Sequence, residues 1–202
     1  LIRTYGWLNE HATRTEGTSV AYPHLPPPLA LHYHSTTTTN RTQTMTGLWR
    51  KPGNVKVVRT LKNRWDRGLP VKYPPPPDTS PFDLTSLVKL YLKDLPSCDE
   101  GIIPRNMRRE LVDAAYMEEE SERVDTMRKV IAKLPKENFS LLRCVVRHFY
   151  LVQRNEKETR MTAKSLGMCF LPRLAHAIEM LVLGYPDIYG PEKEEDDEDD
   201  VS

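Results

Sequence analysis

The stretch "PFDLTSLVKLYLKDLP", residues 81–96, decides the fold. Phe82, Leu84, Leu87, Val88, Tyr91, Leu92 and Leu95 recur at three- and four-residue spacing, which gathers them on one broad face of an α-helix. Pro96 closes the segment, because a proline has no N–H for the helical ladder. Lys89 and Lys93 stand four residues apart on the polar edge, where like charges oppose helix formation by roughly 0.2–0.5 kcal/mol. That pair reads either as a solvated basic face or as a surface that receives an acidic group or a phosphate.

The helical period continues on both sides. Upstream, "GNVKVVRTLKNRWDRG" (53–68) offers Asn54 as an N-cap, sets Val57, Val58, Leu61 and Trp65 on one stripe and stops at Gly68. Downstream, "RNMRRELVDAAYM", "SERVDTMRKVIAKL", "NFSLLRCVVRHFYLVQRN" and "TAKSLGMCFL" each predict a helix. The third of these has Asn138 as its expected cap and Leu141, Leu142, Val145, Val146, Phe149 and Val152 as its core side. "HAIEMLVLGYPDIYG" (176–190) is expected to be helical as far as Pro186. No stretch alternates with the period of a strand, so the fold class is an all-α helical bundle. Two proline-rich connectors interrupt it, one of them "LPVKYPPPPDTSP" (69–81).

Residues 18–46 differ from both flanks, with three consecutive prolines, four consecutive threonines and no sustained period. They predict loop or disorder. The tail "EKEEDDEDD" (192–200) carries a charge of −7 against a net +1 for the whole chain, which leaves a body of +8 followed by a disordered acidic end. The basic residues are not interleaved with aromatics in a patch, so nucleic acid is not an expected partner. No apolar run nears the roughly 18 residues of a membrane span. The chain begins at Leu1, so it is expected to be part of something longer.

Cys98, Cys144 and Cys169 lack metal-ligand spacing and predict buried, reduced thiols; His32 and His34 have no cysteine or carboxylate companions. The expected metal and cofactor complement is none. Phosphate-binding loops, dinucleotide turns, zinc-protease helices and nucleophile elbows are all missing from the sequence. A complete enzymatic active site is therefore not indicated. What remains is Arg50, in the tight turn "GLWRKPGN" (47–54) before a helix start, and a few polar residues against an apolar frame.

The order of these motifs resembles the RhoGAP domain, which activates Rho-family small GTPases. The glycine–aliphatic–aromatic–arginine turn is matched by "GLWR", the lysine helix ending in leucine–proline by "LVKLYLKDLP", and the leucine–proline–x–glutamate–asparagine helix start by "LPKENFSLLRCVVRHFYLV". "RMTAKSLGMCFLPRL" and "HAIEMLVLGYPDIYG" match the family's last two helical motifs. The resemblance covers about 140 residues and implies an all-α RhoGAP-like bundle over 47–190, with a remnant of the first helix region at 1–17, an insertion at 18–46 and the tail at 191–202. That insertion is either genuine or a translated intron.

The resemblance implies that Arg50 is an arginine finger acting on a nucleotide held by another protein, with Trp49 as the anchor of its loop. Lys89 is implied to support the finger loop and the interface. Lys93, Thr159 and Arg173 are implied partner contacts at positions where the family has arginine, asparagine and its proline–asparagine stretch. The expected partner is a Rho-family GTPase that brings its own GTP and magnesium, and the expected location is the cytoplasm, with any membrane association running through other domains. The alternative is a non-catalytic module of the same fold that docks a GTPase or another signalling partner.

Overall fold

The computed structural model describes residues 44–67, 79–93 and 101–190, and every described element is helical. In chain order these are α1 (Val55–Asp66), α2 (Pro81–Lys93), α3 (Arg105–Ala115), α4 (Glu120–Ile131), α5 (Lys136–Arg154), α6 (Glu156–Thr159), α7 (Ala163–Phe170), a 3-10 turn (Pro172–Leu174), α8 (Ala175–Leu183) and α9 (Tyr185–Tyr189).

The helix α5, the longest of the described helices, lines the core. Its Leu142, Val145, Val146, Phe149 and Val152 are wholly buried, as their spacing predicts, while Leu141 is half-buried at the edge. The same core cluster takes in Leu111, Ala114 and Ala115 of α3, Met127, Val130 and Ile131 of α4, Leu166 of α7, and Ile178, Leu181 and Val182 of α8. The second, smaller cluster joins α1 to α2 through Val58, Leu61, Leu84 and Leu87. Leu48 and Trp49 belong to the larger cluster, and so does Val88 of α2. The segment that carries Arg50 is thus seated on the main core at one end and runs into α1 at the other.

Helix starts follow local chemistry, with two corrections. Asn54 caps α1 as expected, its side-chain oxygen accepting from the Lys56 amide at 3.0 Å. Thr162 caps α7 by accepting from the Ser165 amide. Asn138, expected to cap α5, does not: the helix begins two residues earlier, at Lys136 behind Pro135. The Asn138 amide instead donates to the Ile102 carbonyl at 3.0 Å and ties the segment before α3 to α5. Pro186 does not end the last helix either. The break falls at Gly184, and Pro186 sits in the first turn of α9, where a missing N–H costs nothing.

Residues 44–46 fall within the stretch expected to be disordered, yet they are folded: Met45 packs on the core and the Thr46 hydroxyl donates to the Glu158 carbonyl at 2.9 Å. The expectations for residues 1–17, for most of 18–46, for Gly68, Leu95, Pro96, Cys98, His32 and His34, and for the acidic tail lie outside the described residues. Among the described residues no helix is long and apolar enough to cross a membrane.

Candidate functional site

The turn at residues 47–51 begins with a glycine because its backbone requires one. Gly47 has φ +78, in the left-handed region that favours glycine. Its amide donates to the Thr159 carbonyl at 2.7 Å, while its own carbonyl accepts from the amides of Arg50 and Lys51 at 3.0 and 2.9 Å. Trp49 is also left-handed, at φ +71, a conformation that costs a bulky residue about 1–3 kcal/mol. What holds it there is burial. The indole is 0% exposed and meets Phe149 edge-on, with ring centroids 4.9 Å apart. Its other aromatic neighbour is His148, at 5.6 Å.

The left-handed twist presents the Trp49 carbonyl to α2, where the Lys89 ammonium donates to it at 2.8 Å. With Leu48 and Trp49 both turned inward, the next side chain is turned out. Arg50 is exposed, and among the described residues its guanidinium has no hydrogen bond or ion pair. The Lys51 ammonium lies 5.8 Å from the centre of the Phe82 ring on α2, a cation–π contact.

The downstream end of the turn is held by residues that sequence reasoning missed. The Ser86 hydroxyl accepts from the Gly53 amide at 2.9 Å. Asp83, only 2% exposed, accepts from the Asn54 amide through one carboxylate oxygen. Its other oxygen accepts from the amide and the hydroxyl of Ser80, at 2.7 and 2.8 Å. Since the Asp83 amide donates back to the Ser80 hydroxyl, Ser80 and Asp83 form a capping box at the start of α2. That pattern was legible in "SPFD", residues 80–83, as serine followed three residues later by an acid. The reach of the carboxylate to Asn54 was not. Gly53 is required here for space: a Cβ on it would sit 2.5 Å from the Asp83 Cα.

The structure therefore brings Arg50, Trp49 and Lys89 together and adds Asp83 and Ser86. Thr159 is a correction. Expected as a partner contact, it is 0% exposed. Its hydroxyl accepts from the Met161 amide at 3.2 Å and donates to the Val152 carbonyl, so the residue shapes the floor beneath Gly47. Lys93 ends α2, and its side chain lies outside the described residues. Arg173 is exposed on the 3-10 turn and has no hydrogen bond or ion pair to the Arg50 turn among the described residues. It lines a cavity of about 310 Å³ with Tyr116, Lys164 and His176.

The model of the RhoGAP domain matches residues 30–178. The chain belongs to the RhoGAP family. The match begins inside the stretch that the sequence marks as an insertion. Rho GTPase-activating protein 35 of the dog, Canis lupus familiaris, is 27% identical over 133 residues, which is 63% of this chain and 8% of that relative. Human oligophrenin-1 is 31% identical over 139 residues, 66% of this chain and 16% of its own length. The RhoGAP chain thus spans a small part of the curated relatives it matches. In fold it is similar to the crystal structure of human Rho GTPase-activating protein 15, with a TM-score of 0.69 at 18% identity over 80% of this chain and 81% of that one. The BH domain from GRAF, the GTPase regulator associated with focal adhesion kinase, gives a TM-score of 0.67 at 24% identity over 81% of this chain and 93% of that one.

Proposed function

We propose that this RhoGAP domain accelerates GTP hydrolysis by a Rho-family small GTPase, and that Arg50 is the group it supplies. The observation that carries the reading is an exposed guanidinium, unpartnered among the described residues, on a turn whose backbone is held from several sides. Transfer of the γ-phosphoryl group to water spreads negative charge over its oxygens. A guanidinium inserted in trans neutralises that charge through a planar fork of donors, an effect worth about 10³–10⁵ in rate, or roughly 4–7 kcal/mol. Such an interaction acts only if the donor is in place when the charge develops, so a turn with a fixed backbone suits the role.

The other residues divide the work. Trp49 and Lys89 fix the turn, Thr159 supports it from beneath, and Lys93 and Arg173 supply positive charge toward the partner. The GTP, the magnesium ion and the water-positioning residue belong to the GTPase, so the domain is a regulator of hydrolysis and not itself the hydrolase.

The test is single-turnover GTP hydrolysis by a panel of Rho-family GTPases, with the chain or its Arg50→Ala variant added. Acceleration by the native chain that vanishes in Arg50→Ala, with Arg50→Lys recovering little because the fork is lost, is the expected result. Equal acceleration by Arg50→Ala would refute the finger. A folded chain that binds the GTP-loaded GTPase without speeding hydrolysis would make the domain a docking module instead.

A further inference from the structure

One carboxylate stands between two helix starts. Asn54 caps α1 and Ser80 caps α2, and Asp83 accepts from the backbone amides of both. Each helix N-terminus leaves backbone N–H donors without partners inside the helix, and Asp83 supplies an acceptor oxygen to each of the two starts. The same few residues also account for the fit of the loop onto α2: the Gly53 amide reaches Ser86, and the Gly53 backbone passes so near Asp83 that a methyl group could not be accommodated. Together with Lys89 on the Trp49 carbonyl, these contacts run along one side of α2, from its third residue to its ninth. Arg50 lies between them, with Trp49 held on one side and Gly53 and Asn54 on the other.

We propose that Asp83, seconded by Ser86, is a positioning residue for Arg50: it fastens the downstream end of the finger turn to α2 and so fixes the direction from which the guanidinium is offered. The proposal rests on the reading of Arg50 as a finger. It goes beyond that reading in assigning the alignment of the finger to a residue that never meets the nucleotide. Ser80 supplies the control, because Ser80→Ala removes the cap of α2 and leaves the oxygen of Asp83 that faces Asn54 in place.

Two measurements on the full chain decide the matter. In single-turnover hydrolysis, Asp83→Ala is expected to lower the maximal rate about 10- to 100-fold, the cost of a misplaced catalytic group, with little change in the concentration giving half-maximal effect. Ser80→Ala should keep the native rate, although it unfolds at lower temperature. Asp83→Ala added to Arg50→Ala should slow hydrolysis no further than Arg50→Ala alone. The second measurement is amide hydrogen exchange on the chain without any GTPase. Asp83→Ala should speed exchange at Asn54 and its neighbours in the turn, Ser80→Ala should not, and the core amides of α5 should stay as slow as in the native chain.

A native rate and native turn exchange in Asp83→Ala would overturn the proposal, as would a Ser80→Ala variant that reproduces both losses. Absence of acceleration by the native chain itself would sink the finger reading. The exchange data would then still decide whether Asp83 holds the turn.

Discussion

Trp49 carries the site's largest single packing contribution, and its replacement can be worked out in advance. The indole is wholly buried against Phe149 and His148, and truncation of a buried tryptophan to alanine costs about 3–5 kcal/mol. Alanine keeps the left-handed backbone and its strain, so no relief offsets the loss. For a domain of this size about 1 kcal/mol moves the midpoint by roughly 2–4 °C, so Trp49→Ala should lower Tm by about 6–20 °C. Phenylalanine is a different case. The indole Nε1–H is buried without a hydrogen-bond partner among the described residues, a penalty of about 1–3 kcal/mol that a phenyl ring in its place would not bear. Trp49→Phe loses ring area but sheds that penalty, and should stay within about 1.5 kcal/mol of the native chain. Urea unfolding followed by far-ultraviolet circular dichroism measures both, with an unchanged m-value confirming that the unfolded state is comparable. A Trp49→Ala cost below about 1 kcal/mol would refute the claim that the ring anchors the turn. Equal costs for the two variants would refute the account of the unpaired N–H.

Other variants probe the remaining contacts. Lys89→Met removes the donor to the Trp49 carbonyl and leaves that buried oxygen unpaired, a cost of about 1–3 kcal/mol, so Tm should fall by roughly 2–12 °C while the stimulated GTPase rate falls about 10-fold or more; unchanged stimulation would detach Lys89 from the site. Gly53→Ala drives a methyl group into the backbone at Asp83, and both Tm and stimulation should drop, whereas Gly190→Ala, whose Cβ would meet nothing but whose backbone is strained at φ +86, should lower Tm and spare stimulation. Burial pushes the Cys144 thiol up from 9.0 to about 11, with Arg147 pulling the other way, which cuts its thiolate fraction at pH 8 about 100-fold. Alkylation by iodoacetamide should therefore be about 10- to 100-fold slower than that of a free thiol, the greater nucleophilicity of a more basic thiolate offsetting part of the lost fraction. The same shift sets a sign for stability. The folded state holds this proton more tightly than the unfolded chain, so the contribution is intact below about pH 9 and is lost as pH rises toward about 11. A Cys144→Ala chain should show less loss of Tm over that window.

Much of this arrangement could be read from the sequence, and the part that could not has a common physical origin. Leu142, Val145, Val146, Phe149 and Val152 announce a buried face because the period of a helix is local, and each of them is buried. The Asn54 cap and the Ser80–Asp83 capping box are local in the same sense. Asn138 misled because an asparagine near a helix start has the chemistry of a cap, while Pro135 had already set the start and left the amide free to reach Ile102. Thr159 misled for the opposite reason. Its place in a motif says that it matters near the turn, but only the packed structure puts its hydroxyl inside, on Val152 and Met161, and not at the surface. Aligning a motif identifies a position; it does not tell which way the side chain faces.

The contacts that hold the Arg50 turn come from far along the chain. Thr46 reaches Glu158 across 112 positions, Trp49 reaches Lys89 across 40, Gly53 reaches Ser86 across 33 and Asn54 reaches Asp83 across 29. Such closures are slow to form and are rewarded only after the intervening helices have docked. A truncated or half-refolded chain can therefore show its full complement of helix by circular dichroism and still lack a working turn. Recovery of GTPase stimulation during refolding should lag behind the return of helical signal, which makes activity, and not helicity, the reporter of a completed chain.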